Sequence, residues 1–159
     1  MLLREDLKNF EGSISNNFFK DKEKIDTDSF YKKIVGEKFN FITYEDEKYP
    51  ALLKEIPDYP LMLYYKGDFN FCHFDKTLSV VGSRNASESA KSSLSLIISS
   101  MKNLPVTIVS GLAMGIDGTA HRSAISNNIS TIGVIGCGID VIYPSVNKDL
   151  YQKIENGAG

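Results

Sequence analysis

The sequence predicts an α/β protein built on a parallel, Rossmann-like sheet, and three observations carry that reading. From residue 77 onward, short apolar runs with almost no polar alternation recur as TLSVV, PVTIVS and STIGVI. Each is followed by a stretch with helical spacing, and uniformly apolar strands alternating with helices form a parallel sheet covered on both faces. Every strand also ends in a glycine-bearing turn: GSRNAS at 82–87, SGLAMGID at 110–117 and GCGID at 136–140.

Taken in order, residues 1–40 are polar and rich in Lys and Asp, with helical-looking pieces around EDLKNF and DSFYKKIV. Residues 41–76 change to short aromatic runs broken by Pro50, Pro57 and Pro60, a composition expected of a lead-in packed on the main domain. The Rossmann-like domain is expected over 77–159. In it TLSVV is the first strand, and ESAKSSLSLIISSMKNL has apolar residues near 3.6 spacing and predicts the first helix. PVTIVS is the second strand. AMGIDGTAHRSAISNN is the second helix, closing at two asparagines that tolerate a left-handed stop. STIGVI is the third strand, and NKDLYQKI is a helix beyond GCGIDVIYPS.

Composition narrows the function. The formal net charge is −2, which argues against binding nucleic acid by bulk electrostatics. The acidic excess lies in residues 1–76, and residues 77–159 are slightly basic, so an anion site has to be local. Cys72 and Cys137 stand far apart without metal-ligand spacing, so neither a zinc site nor a disulfide framework is expected. No apolar run is long enough for a membrane span, and no basic-then-apolar leader opens the chain, which predicts a cytoplasmic protein.

The glycine turns carry the chemistry. A glycine inside a helix costs roughly 1 kcal/mol relative to alanine, so three of them around the start of the second helix call for a reason. In a parallel sheet, ligands bind at the carboxyl ends of the strands, where helix N-termini offer N–H groups and a positive dipole end to an anion. The Gly82, Gly111 and Gly136 turns share that edge and predict a phosphate-sized anion site. Arg84, two residues beyond Gly82, is placed to grip a phosphate with its planar fork. Asp117 and His121 are four apart on one helix face, which suits either a structural pair or an acid/base pair. Tyr143 ends the third turn, where it either stacks on a base or packs. His73 reads as a surface or packing residue. The Walker pattern is absent and SGLAMG does not fit GxGxxG, so nicotinamide and flavin enzymes are disfavoured and no cofactor is expected.

Read together, VVGSRNAS, IVSGLAMGIDGTAHRSAI and TIGVIGCGIDVIYPSVNKDLYQKI resemble the DprA/Smf family of DNA-processing proteins, and YPALLKEIPDYPLMLYYKGD is similar to that family's segment before the Rossmann domain. The resemblance runs from about Phe41 to the last residue. It implies a non-enzymatic, metal-free protein of DNA uptake and natural transformation, which binds single-stranded DNA and loads it with the recombinase RecA. The candidate DNA- and phosphate-binding set is Gly82, Ser83, Arg84, Ser110, Gly111, Gly115, Asp117, His121, Gly136 and Gly138; of these the resemblance implies Arg84, as the arginine of the family's G-S/T-R turn, and backbone at Ser110, Gly111 and Gly115. Many members carry a lysine where this chain has Met114, so one cationic contact is expected to be missing. Members continue past residue 159 into a second half of the sheet. There the resemblance places an arginine-rich segment and the surfaces for dimerisation and RecA contact. Without that half, the first strand is expected to stand at an apolar edge. The alternatives are a phosphoribohydrolase of the LOG type, whose PGGxGTxxE segment this chain lacks, and a nucleotide-sensing domain on the same fold.

Overall fold

Three short strands form the parallel sheet that the apolar runs predict. They are β3 (Thr77–Ser79), β4 (Thr107–Ser110) and β5 (Thr131–Gly133), ordered β3-β4-β5, with Leu78 beside Ile108 and Ile108 beside Thr131. The computed structural model describes residues 40–68 and 76–158; Cys72, His73 and the predicted helical pieces of the first forty residues lie outside them. The described residues belong to one compact unit.

Helix α1 (Glu88–Ser99) starts where Ser87 accepts a hydrogen bond from the Ala90 N–H, and Glu88 complements the positive helix end. It stops earlier than the apolar spacing predicts. The Ser99 and Ser100 hydroxyls donate to the Leu96 and Ile97 carbonyls, and the chain tightens into turns through Leu104. Helix α2 (Ile116–Ser126) closes as expected: Asn127 caps it and Asn128 takes the left-handed conformation at φ 55°. Helices α1 and α2 pack together on the sheet, and Val80, Ile98, Ile108, Ala120, Ala124 and Ile129 form the core between them. A 3₁₀ turn (Ser145–Asn147) leads into helix α3 (Lys148–Lys153), whose Leu150 is fully buried outside that cluster.

The lead-in contains pairing that its aromatic composition did not reveal. Strand β1 (Asn40–Thr43) runs antiparallel to β2 (Met62–Tyr65), so Phe41 faces Tyr64. Between them Tyr44 stacks on Tyr59 at 4.6 Å with Lys54 over its ring, and the Tyr49 hydroxyl donates to the Pro60 carbonyl at 2.6 Å. The backbone at Gly67 passes directly against that of Ile154 and Glu155.

Candidate functional site

The three glycine turns meet at the carboxyl edge of the sheet and enclose a cleft of about 280 Å³. Arg84 lines it from the first turn, Gly111, Ala113 and Met114 from the second, and Ile135, Gly136 and Cys137 from the third; Tyr143 and Pro144 close one side. The Tyr143–Pro144 peptide bond is cis, and Tyr143, 65% exposed, has its carbonyl held by the Tyr151 hydroxyl at 2.9 Å.

Two of the glycines join the turns to each other. Gly115 has φ +76°, and a Cβ there would collide with the Ser83 carbonyl oxygen and come 2.6 Å from that of Arg84. At Gly82 a Cβ would come 2.6 Å from Cγ1 of Ile116. The Ile116 N–H then donates to the Ser83 carbonyl at 3.1 Å. The first turn is thereby pressed onto the start of α2, which fixes the backbone from which Arg84 projects. Ser83 also accepts from the Asn85 N–H, so its hydroxyl shapes the turn.

The start of α2 differs from the open anion site that its glycines suggest. N–H groups there are taken up within the fold: Ile116 donates to the Ser83 carbonyl, Gly118 to the Ala113 carbonyl at 3.0 Å, and Gly111, ahead of the helix, to Asp117 Oδ2 at 3.2 Å. Asp117 is buried, and its carboxylate complements the positive helix end that a phosphate would otherwise meet. Ser110 is buried too and donates to the Val80 carbonyl at 2.7 Å, tying β4 to β3. Of the ten residues expected at the site, the structure brings Arg84, Gly111 and Gly136 to the cleft surface. Gly82, Ser83, Gly115, Ser110 and Asp117 shape the turns from behind. Gly138 stands beside the Asp140 carboxylate, outside the cleft lining.

His121 is completely buried below the turns. The Thr131 hydroxyl donates to the Ile108 carbonyl, so the His121 Nδ1–H donates to Thr131 Oγ1 at 2.8 Å, and Nε2 is left buried without a partner. Burial lowers the imidazole pKa to about 4 against an opposing pull from Asp117, so the ring is neutral near pH 7. Of the two roles open to Asp117 and His121, the geometry supports the structural one: each is engaged with its own partner beneath the surface.

Two residues of the site were not legible in the sequence. Leu112, in the second turn, has φ 58°, a left-handed conformation rare for a branched side chain, and is buried. It is held there by Asn147, 5% exposed, whose Nδ2 donates to the carbonyls of Leu112 and Ala113, both at 3.0 Å. Arg122 steadies the same asparagine: it donates to Asp149 through both terminal nitrogens, at 2.6 and 3.0 Å, and reaches Asn147 Oδ1 at 3.4 Å. That bidentate pairing holds the Asp149 carboxyl below the usual carboxylate range. In the sequence Asn147 reads only as a helix start, since the two carbonyls it holds lie more than thirty residues away. The Arg84 guanidinium, by contrast, has no partner among the described residues.

Fold and site define a Rossmann-like domain with an open, arginine-bearing cleft where three βα turns converge. The chain belongs to the DprA/Smf family: residues 40–159 match the family model of DNA recombination-mediator protein A. It is 44% identical over 120 residues to a DNA processing protein DprA of Streptococcus pneumoniae, covering 76% of this chain and 42% of that one. It is 38% identical to the Escherichia coli Protein Smf over 120 residues, 76% of this chain and 32% of the relative. The X-ray structure of the pneumococcal protein superimposes with a TM-score of 0.84 at 38% identity, over 95% of this chain and 51% of that one. A Helicobacter pylori DprA structure, described for its single-stranded DNA binding mode, gives 0.64 at 27% identity over 76% and 54%. The chain thus spans about half or less of the relatives it matches. The α/β Rossmann-like fold and the family read from the glycine turns both hold, and nothing in these relationships supports the phosphoribohydrolase or nucleotide-sensing alternatives.

Proposed function

We propose that this chain binds single-stranded DNA in the cleft at the carboxyl edge of β3, β4 and β5, as a non-enzymatic, cytoplasmic DNA-processing protein. One observation carries the reading: an unpaired arginine and an exposed tyrosine share a cleft whose walls are otherwise backbone and small or apolar side chains. Arg84 contacts the phosphodiester backbone, and Tyr143 offers an aromatic face to an unstacked base. Contacts of this kind carry no sequence information, so binding is indifferent to sequence and prefers single strands to duplex. The relationship to a Helicobacter pylori protein with a described single-stranded DNA binding mode supports the same ligand. At the level of the whole protein, we propose a homodimer that delivers incoming single strands to RecA during transformation.

The test is fluorescence anisotropy of a labelled oligo-dT with the 159-residue chain and its Arg84→Ala variant at two salt concentrations, with duplex as competitor. Binding weakens in the variant, and the slope of log K against log salt flattens by about one. A folded chain that binds oligo-dT equally well with and without Arg84 refutes this placement.

A further inference from the structure

We infer that Tyr151, outside the cleft lining, is a positioning residue: its hydroxyl holds the backbone of Tyr143 in place, so that the Tyr143 ring stands as a fixed platform for an unstacked base. The inference rests on the single-stranded DNA reading above and assigns part of the affinity to the bases. Tyr143 lines the cleft with a ring that nothing in the fold grips. It is 65% exposed, it stands in none of the aromatic pairs among the described residues, and its hydroxyl has no hydrogen-bond partner there. The ring therefore stays only where its own backbone puts it.

That backbone belongs to a turn with little else to hold it. Within residues 138–143 the Val141 N–H donates to the Gly138 carbonyl at 2.8 Å, and the neighbouring Cys137 thiol donates to the Val141 carbonyl at 3.5 Å. Both bonds close the turn on itself. Among the described residues, the single hydrogen bond that ties this stretch to a helix or strand runs from the Tyr151 hydroxyl to the Tyr143 carbonyl, at 2.9 Å. The donor is itself well anchored. Tyr151 lies on α3, next to the fully buried Leu150 and close to Asp149, which Arg122 of α2 grips with both terminal nitrogens. The Tyr151 ring is half-buried, and burial pushes its hydroxyl up from the ordinary value of 10.0, so it remains a donor throughout the neutral range. A platform fixed in this way before binding loses less entropy when a base settles on it.

A strand of abasic tetrahydrofuran residues keeps the phosphates and lacks the bases, so it separates the platform from the phosphate contacts. The experiment is anisotropy of labelled oligo-dT and of an abasic strand of equal length with the wild type, Tyr143→Ala, Tyr151→Phe and the double variant, with melting curves of all four. The wild type prefers oligo-dT. That preference is expected to fall about tenfold in Tyr143→Ala and about threefold in Tyr151→Phe, with affinity for the abasic strand unchanged. The double variant is expected to match Tyr143→Ala, because Tyr151 acts only through Tyr143. Tyr151→Leu, which also lacks the donor, gives the same result and stands in should the phenylalanine variant fail to melt cooperatively. A folded Tyr151 variant with the wild-type preference overturns the inference and leaves the DNA reading intact. So does one that weakens binding to both strands alike, or a double variant weaker than Tyr143→Ala. A wild type that binds both strands equally overturns the platform while phosphate binding stands. A folded wild-type chain that binds neither strand overturns this inference and the DNA reading together.

Discussion

His121 makes the stability of this domain fall as the pH drops through a window above the one in which Asp46 and Asp149 act. Its ring is completely buried, Nδ1–H is engaged with Thr131, and Nε2 has no hydrogen-bond partner, so a second proton would place a buried charge that Asp117 and the Ser110 backbone offset only in part. Burial accordingly lowers the pKa from 6.5 to about 4. The unfolded chain takes up a proton near pH 6.5 and the folded chain only near 4. Stability from this residue is therefore fully present above the unfolded pKa, is lost progressively as the pH falls between the two values, and is flat below. At 1.36 kcal/mol per pKa unit, the loss on going from pH 7 to below the folded pKa is about 3 kcal/mol. For a chain of this size that lowers the melting temperature by roughly 6–12 °C. Asp46 and Asp149 are held below the usual carboxylate value of 3.8 by Thr43 and Arg122, so their contributions fade only in more acid solution. The assay is urea unfolding of the wild type and His121→Gln at pH 7, 5.5 and 4.5. The glutamine at 121 should flatten the profile. A wild type equally stable at pH 7 and 4.5, or a slope that survives in His121→Gln, would refute the reasoning.

Three further outcomes follow from the same contacts. Gly115→Ala forces a Cβ onto the Ser83 carbonyl at positive φ and is expected to cost about 3 kcal/mol or more, read as a loss of cooperative melting or a large fall in the urea midpoint. Asn147→Ala leaves the Leu112 and Ala113 carbonyls without their donor while Leu112 keeps its left-handed conformation, so unfolding free energy falls by about 2–3 kcal/mol; a change under about 0.5 kcal/mol, the range of neutral surface substitutions, would show that the asparagine does not hold the turn. Met114→Lys adds a cation to the cleft lining at a residue already 44% exposed, and should tighten oligo-dT binding and steepen its salt dependence by about one unit of slope.

The sequence by itself determined the order of strands and helices from residue 77 onward, and the family. Apolar runs without alternation mark buried parallel strands, and glycine, asparagine and proline mark turns through their own backbone preferences, all within a few neighbouring residues. The left-handed stop at Asn128 was legible for that reason. So was Arg84 at the cleft, because the residue after a strand's carboxyl end belongs to the ligand edge whatever else the chain does. Which glycine serves the fold and which is left open was decided only in three dimensions. Gly115 and Gly136 look alike in the text, yet one presses against the Ser83 backbone and the other meets nothing. The roles of Asp117 and His121 were likewise settled by what lies beneath them: a helix period puts both on one face, but only packing shows that this face is turned inward. Asn147 acts on Leu112 and Ala113 from more than thirty residues away. No local propensity records such a contact, because it exists only once the sheet has brought its turns to a common edge.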